Sequence, residues 1–411
     1  MKITNGKYTL TGGVDVLSLT EKYGCPLYVY DAAIIAKQYN KMKEAFDVPD
    51  LKINYACKAL NNISILKYIK SLGAGLDTVS IQEVLVGLKA GFEPQDIIYT
   101  PNCVSLEEII EAKKLGVKIN IDNLSILEEF GHLFPDYPVC VRINPHILAG
   151  GNTKISVGHI DSKFGISFHQ VPLILRIAKA NHMKIEGVHM HTGSDILDAE
   201  VFLQGAEILF DIADHFPELK YLDFGSGFKV PYKDDGIQTD INDLGKKISK
   251  RFKNYCKAKG RDLTLMFEPG KYLVSESGFF LVKTNVVKQT TSTVFVGVDS
   301  GLNHLIRPMF YDAYHKIVNI SKTSGKERIY TVVGYICETD TFGVNRKMHE
   351  VQDGNVLAFY NAGAYCYTMA SNYNSRYRPA EVLVIDGKDY LIRERETMED
   401  IMRNQVELDI F

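Results

Sequence analysis

Eight short runs of strand-favouring residues, separated by helix-length amphipathic segments, constrain this chain more than any other feature. The runs extend from Lys52 to Ala56, Gly75 to Val79, Ile97 to Tyr99, Lys118 to Ile121, Val139 to Ile143, Ile185 to Met190, Tyr221 to Phe224 and Thr264 to Phe267. Short apolar runs bounded by turn residues read as buried strands, and the stretches between them, such as Ser80 to Ala90 and Ser105 to Leu115, carry the apolar period of helices. Eight βα units in succession predict a (β/α)8 barrel, although the spacing alone also permits a doubly wound open sheet.

The strand ends strengthen the barrel reading, because barrel active sites collect at the carboxyl-terminal face. In order they carry Lys58, Asp77, Thr100 with Asn102, Asp122 with Asn123, Arg142 with Asn144, His189 with His191, Gly225-Ser226-Gly227 and Glu268. Taken singly, Asp77, Thr100 and Asp122 read equally as helix N-caps. Lys58 follows the apolar run Ile53-Asn54-Tyr55-Ala56-Cys57, where it is either a lysine reaching out to water or a desolvated amine. Desolvation favours the neutral amine, which is the nucleophile that forms a Schiff base with an aldehyde such as pyridoxal phosphate.

Beyond residue 270 the pattern changes to β-rich segments without regular helices: Phe279 to Val287, Thr293 to Val298, Ile329 to Val333, Val356 to Phe359 and Glu381 to Val384. The expected division is therefore a barrel over 26–270 and an all-β domain over 271–411, to which residues 1–25 add a strand through Tyr8 to Asp15. Composition places limits on partners. A net charge of -3 gives no basic excess for nucleic acid, and no apolar run is long enough to span a bilayer. The start Met1-Lys2-Ile3-Thr4-Asn5-Gly6 lacks the apolar core of a signal peptide, so a cytoplasmic protein is expected. Seven cysteines without CxxC or Cys/His clusters support neither a disulfide framework nor a metal site.

Three strand-end groups meet the needs of pyridoxal phosphate. Gly225-Ser226-Gly227 offers backbone N–H donors to a phosphate, Glu268 offers an anion to the pyridine nitrogen, and His191 offers a ring to stack on the cofactor. Each is a weak signal alone; His191 reads equally as a core histidine.

Separated motifs along nearly the whole length resemble the diaminopimelate decarboxylases, pyridoxal-phosphate enzymes that share an alanine-racemase-like pairing of a barrel with a β domain. They are Tyr55-Ala56-Cys57-Lys58-Ala59, Lys163-Phe164-Gly165-Ile166, His189-Met190-His191-Thr192-Gly193-Ser194, Glu268-Pro269-Gly270-Lys271, Leu305-Ile306-Arg307-Pro308 through His315, Cys337-Glu338-Thr339 and Asn361-Ala362-Gly363-Ala364-Tyr365. The resemblance implies that Lys58 carries the cofactor in a Schiff base and that His191, Glu268 and Gly270 line it. Ser194, Gly225, Gly227 and Tyr365 hold its phosphate by the same resemblance, and Cys337 donates the product's proton. Lys271, Arg307, Tyr311, Glu338 and Tyr365 then recognise the substrate, and a head-to-tail homodimer brings Cys337 and Glu338 to the Lys58 of the other chain.

The implied reaction is decarboxylation of meso-diaminopimelate to L-lysine, the last step of lysine biosynthesis. The alternatives are a decarboxylase of another basic amino acid or polyamine-type carboxylate, and a non-catalytic homologue that binds pyridoxal phosphate. Charge distinguishes the substrates: diaminopimelate keeps a distal carboxylate that needs a cation, whereas a diamine precursor ends in an ammonium group. Two residues depart from the family's pattern, Ser226 inside the glycine triplet and Lys271 where an arginine is usual, and the run Cys337-Glu338-Thr339-Asp340 departs from Cys-Glu-Ser-Gly-Asp. Lysine there replaces a bidentate fork with a point charge.

Overall fold

The computed structural model of the chain describes residues 1–147 and 162–411, which form two compact units. One unit comprises Ala36–Pro231 and Asp235–Leu273, and the other Met1–Ile35, Tyr232–Asp234 and Val274–Phe411.

In the first unit eight parallel strands close into a barrel: Leu51–Ala56, Gly75–Thr78, Ile97–Tyr99, Lys118–Ile121, Pro138–Asn144, Lys184–Met190, Tyr221–Asp223 and Thr264–Phe267. The pairing of Leu265 with Leu51 and of Phe267 with Ile53 joins the last strand to the first, which excludes the open sheet. Nearly every residue of these strands is buried, because the barrel interior covers one face and the helices cover the other.

Local chemistry starts the helices where the strands end. Ser80 accepts the Glu83 N–H while Glu83 Oε2 accepts the Val79 N–H at 2.8 Å, which opens Ile81–Lys89. Asn123 accepts the Ile126 N–H at the head of Leu124–Leu133, and Asp240 accepts two N–H groups at the head of Ile241–Lys259. Asp77, Thr100 and Asp122 cap none of these helices, so they are left for other work.

The second unit is built on a mixed sheet whose strand order is Thr341–His349, Glu327–Val333, Val294–Val298, Gly278–Gln289, Leu27–Asp31, Ala380–Ile385 and Lys388–Arg393. The N-terminal strand of this sheet is Leu27–Asp31, which lies outside the expected 1–25. Its five residues Leu-Tyr-Val-Tyr-Asp are all buried, running antiparallel to Gly278–Gln289 and parallel to Ala380–Ile385. Tyr8 to Asp15 supplies no strand to it; Lys7–Thr9 pairs instead with Lys2–Thr4 across Asn5-Gly6, both at positive φ, the dipeptide that suits a tight hairpin. A core of Leu10, Val16, Leu19, Leu27, Val29, Phe279, Leu281, Val356, Val382 and Val384 holds the sheet to its N-terminal helix. Such interdigitated aliphatic burial is the main favourable term in the unit's stability.

Candidate active site

The barrel gathers a buried charge set at the ends of its strands. His189 Nε2 lies 2.9 Å from Glu268 Oε2, with both residues buried. Arg142, Asp77 and Asp223 are buried beside them. Burial drives the Asp77 carboxyl well above the ordinary range, and the neighbouring Glu268 charge adds to it. Asp223 is raised for the same two reasons, burial first and Glu268 second. Burial acts on Glu268 in the same direction, but His189 and then Lys58 and His191 overcome it and hold Glu268 at about 2. The set therefore favours the negative charge on Glu268 and protons on the two aspartates, because burying three ionised carboxylates together is costly.

Burial favours the neutral form of both histidines. Burial lowers His189 against the pull of Glu268, and lowers His191 well below its usual value, with Arg142 and Lys58 adding to the effect. His191 is half-buried, and its Nδ1 accepts the Ser226 N–H at 3.2 Å, which fixes the tautomer with the proton on Nε2. A neutral imidazole held this way presents a flat face that suits stacking.

The glycine turn supplies fewer donors than its sequence promises. The Gly225 N–H donates to Asp223 Oδ1 at 2.8 Å, and the Ser226 N–H goes to His191. Among the bonds of the described residues none uses the Gly227 N–H, which is left for an anion. Glycine is required there: φ is +122°, and a Cβ would lie 2.4 Å from the Gly193 carbonyl oxygen. That closeness ties the turn to the loop carrying half-buried Ser194, through Ile196 N–H to Gly227 O at 2.9 Å.

Two barrel residues differ from their expected settings. Lys58 stands in a short helical turn, Cys57–Ala59, and is exposed, so the barrel alone does not supply the desolvation argued for it. The reason is position: Cys57 and Ala59 turn inward and are buried, which sends the residue between them to the surface of the turn. Lys271, expected near a substrate carboxylate, is engaged by Asp195 in an ion pair. Gly270, beside it, is buried and accepts the Leu273 N–H through its carbonyl.

The remaining site residues lie in the second unit, in two groups. Arg307 opens the helix Arg307–Tyr311, and its guanidinium carbon is 5.6 Å from the Tyr311 ring, 5.8 Å from that of Tyr232 and 5.9 Å from that of Tyr365. Tyr365 is held at a φ of +56° behind Gly363, where any Cβ would collide with the Val274 carbonyl. Cys337 and Glu338 are exposed on another loop, where Cys337 Sγ meets Asn374 and Glu338 Oε1 accepts the Tyr373 hydroxyl at 3.0 Å. Sequence reading missed Tyr232, Tyr373 and Asn374. The run Ser371-Asn372-Tyr373-Asn374-Ser375, rich in residues that tolerate left-handed backbone, was the available signal.

The barrel set fits pyridoxal phosphate. Glu268 Oε2 is taken by His189, and its buried Oε1 is left to the neighbouring Asp223 carboxyl or to a donor such as a pyridinium N–H. His189, Asp223 and Glu268 also bring one ligand atom each within 4.8 Å of one another, a spacing a divalent ion could use. A divalent ion would draw on all three groups, whereas a ring cation needs only the Glu268 carboxylate.

The pyridoxal-binding domain family of the pyridoxal-dependent decarboxylases matches residues 32–275. The diaminopimelate decarboxylase of Methanothermobacter thermautotrophicus is 36% identical over 416 residues, covering 98% of this chain and 97% of that protein. The crystal structure of the M. jannaschii diaminopimelate decarboxylase in co-complex with L-lysine is 31% identical, with a TM-score of 0.90 over 99% of this chain and 98% of that one. The Helicobacter pylori enzyme, also complexed with L-lysine, is 32% identical, with a TM-score of 0.86 over 95% of this chain and 98% of that one.

Proposed function

Because the chain belongs to the pyridoxal-dependent decarboxylases, and within them to the diaminopimelate decarboxylases, we propose a division of its reaction between the residues of its two units. It is a pyridoxal-phosphate enzyme that converts meso-diaminopimelate to L-lysine and carbon dioxide, the last step of lysine biosynthesis. Bound in the barrel, the cofactor supplies a protonated ring that accepts the electron pair released when carbon dioxide leaves.

Lys58 would hold the cofactor covalently through its Nζ. Glu268 would keep the ring nitrogen protonated, and the observation that carries this reading is its buried carboxylate, whose Oε1 is not taken by His189. His191 would stack on the ring, the hydroxyl of Ser194 and the Gly227 N–H would take phosphate oxygens, and Tyr365 would add a further hydroxyl to that phosphate. Arg307, caged by three tyrosine rings, pairs with the distal carboxylate and Tyr311 adds a hydroxyl. Glu338 faces the distal ammonium. Cys337 gives its S–H proton to the carbon that lost the carboxylate and is recharged from water.

The exposure of Lys58, Cys337 and Glu338 in a single chain supports a homodimer in which the partner copy covers Lys58 with its own Cys337 loop. A dimer would also provide the desolvation that a lone barrel withholds from the amine. A cytoplasmic setting is part of the same reading, supported by seven cysteines that are all free. Among the described residues no helix is long and apolar enough to cross a membrane.

Borohydride reduction followed by peptide mass, together with carbon dioxide release from a panel of amino acids, tests the reading. Label on Lys58 and release from meso-diaminopimelate alone are expected. Label on another lysine, or faster release from lysine or ornithine, would overturn the assignment of Lys58 or of the substrate respectively.

A further inference from the structure

The loop that carries Cys337 and Glu338 is built more firmly than its exposure suggests. Asp340, 1% exposed and at a φ of +43°, accepts the Ile336 N–H at 2.8 Å and the Leu302 N–H at 2.6 Å through its two carboxylate oxygens. Its carbonyl accepts the Gly334 N–H at 2.8 Å, and the Tyr335 N–H reaches Ser300 O at 3.0 Å. Both ends of the Cys337-Glu338-Thr339 bend are therefore fixed, and only the side chains at its tip are left to be oriented.

A second segment does this. Asn374 Nδ2–H donates to Cys337 Sγ at 3.4 Å, and Asn374 Oδ1 lies 3.7 Å from the same sulfur as an acceptor for the thiol proton. Tyr373 next to it donates its hydroxyl to Glu338 Oε1 at 3.0 Å. The Glu338 bond holds the Tyr373 phenol above its ordinary pKa, so at neutral pH the tyrosine remains an O–H donor. Neither is a drifting surface side chain. Ser371 N–H is anchored on Asn303 O at 2.7 Å, Asn372 on Arg376 O at 3.0 Å, the Arg376 guanidinium lies 3.9 Å from the Tyr335 ring, and Arg378 N–H is held by Glu396 at 2.7 Å. Asn374 and Ser375 both sit at positive φ, a backbone that side chains rarely adopt and that turns the Asn374 amide toward the sulfur.

We propose that Asn374 and Tyr373 are positioning residues: Asn374 aims the thiol of Cys337 and Tyr373 aims the carboxylate of Glu338, so that both are preset before a partner copy covers them. The proposal rests on the roles given above to Cys337 and Glu338. It explains why two adjacent residues on one anchored turn both reach the Cys337-Glu338 pair, Asn374 through the sulfur and Tyr373 chiefly through the carboxylate. The two roles separate kinetically. A thiol that only delivers a proton affects turnover, and a carboxylate that only holds the substrate's ammonium affects binding.

The test uses the full-length holoenzyme and three variants. Asn374→Gly keeps a left-handed backbone without strain and removes only the amide, Asn374→Asp keeps the acceptor and loses the donor, and Tyr373→Phe removes one hydroxyl. Asn374→Gly is expected to lower kcat about tenfold to a hundredfold with KM within about twofold, and Asn374→Asp to recover part of that loss. Tyr373→Phe is expected to raise the KM for meso-diaminopimelate about threefold to tenfold with kcat within about twofold. Alkylation of Cys337 by iodoacetamide, read by peptide mass so that exposed Cys103 is counted apart, should slow by about threefold in Asn374→Gly because the N–H donated to the reacting sulfur is gone.

A merely structural role would lower kcat, raise KM and lower Tm together in both variants, and that outcome overturns the proposal. Asn374→Gly with wild-type kcat and wild-type alkylation, while Cys337→Ala loses turnover, overturns the positioning role and leaves Cys337 as donor. If Cys337→Ala keeps its turnover, the donor reading falls by itself, and the alkylation rate still decides whether Asn374 holds the thiol.

Discussion

Asp223 illustrates how one residue can stand at a site in a protonation state its type does not suggest. Its folded-state pKa is raised well above 3.8 by burial and by Glu268, so from about pH 4 upward the unfolded chain ionises while the native carboxyl keeps its proton. The stability this group contributes is therefore full below the unfolded value and is lost as pH rises from there through the raised folded value, the opposite sign from a salt-bridged aspartate. Asp223→Asn mimics the protonated acid and keeps the oxygen that accepts the Gly225 N–H. Its Tm at pH 8 is expected to equal or exceed that of the parent, whereas Glu268→Gln should lose turnover by about a hundredfold because the only charged carboxylate of the set is gone. Thermal melts at pH 5 and pH 8 check the first part, and a Tm several degrees lower for Asp223→Asn at pH 8 would mean that the acid is ionised in the fold.

At the scale of elements, the turn after the seventh barrel strand does more than bend the chain. Two of its three N–H groups are consumed in orienting Asp223 and His191, so its contribution to an anion narrows to Gly227. Gly227→Ala would force a Cβ against the Gly193 carbonyl in a backbone that alanine resists, at about 1–3 kcal/mol of strain. The expected outcome is a weaker hold on pyridoxal phosphate, measured as at least about a tenfold rise in its dissociation constant, with far-ultraviolet circular dichroism unchanged. Unchanged affinity would remove the turn from the phosphate site. That the turn could offer backbone N–H groups was legible in Gly225-Ser226-Gly227; which N–H remains was not, because His191, which takes the Ser226 N–H, lies far away in sequence.

At the scale of the whole molecule, Lys58 and Cys337 belong to different units and are both exposed in one chain. The proposed homodimer accounts for this by letting each copy complete the other. Mixing inactive Lys58→Ala and Cys337→Ala chains should restore activity through hybrids with one intact site, up to about a quarter of the parental rate if subunits exchange at random. Carbon dioxide release after exchange, followed by native mass spectrometry, measures it. Hybrids that form and stay inactive would mean that both residues act within one chain.

The sequence by itself determined the eight barrel strands to within about a residue of their observed ends, because a strand buried on both faces must be apolar over its whole length and a helix start must carry its cap. It also determined the family, since Lys58, His191, Glu268, Arg307, Cys337 and Tyr365 each sit inside a motif that can be read locally. Only the tertiary structure decided that Leu27–Asp31 belongs to the second sheet, for an apolar run of five says that a strand is buried but not between which neighbours. It decided as well that Lys58 is exposed, that Lys271 is held by Asp195, and that protons stay on Asp77 and Asp223 while Glu268 keeps the charge. Those outcomes depend on burial and on the distance between charges, and both are properties of chain segments brought together by closure of the barrel rather than of any segment alone.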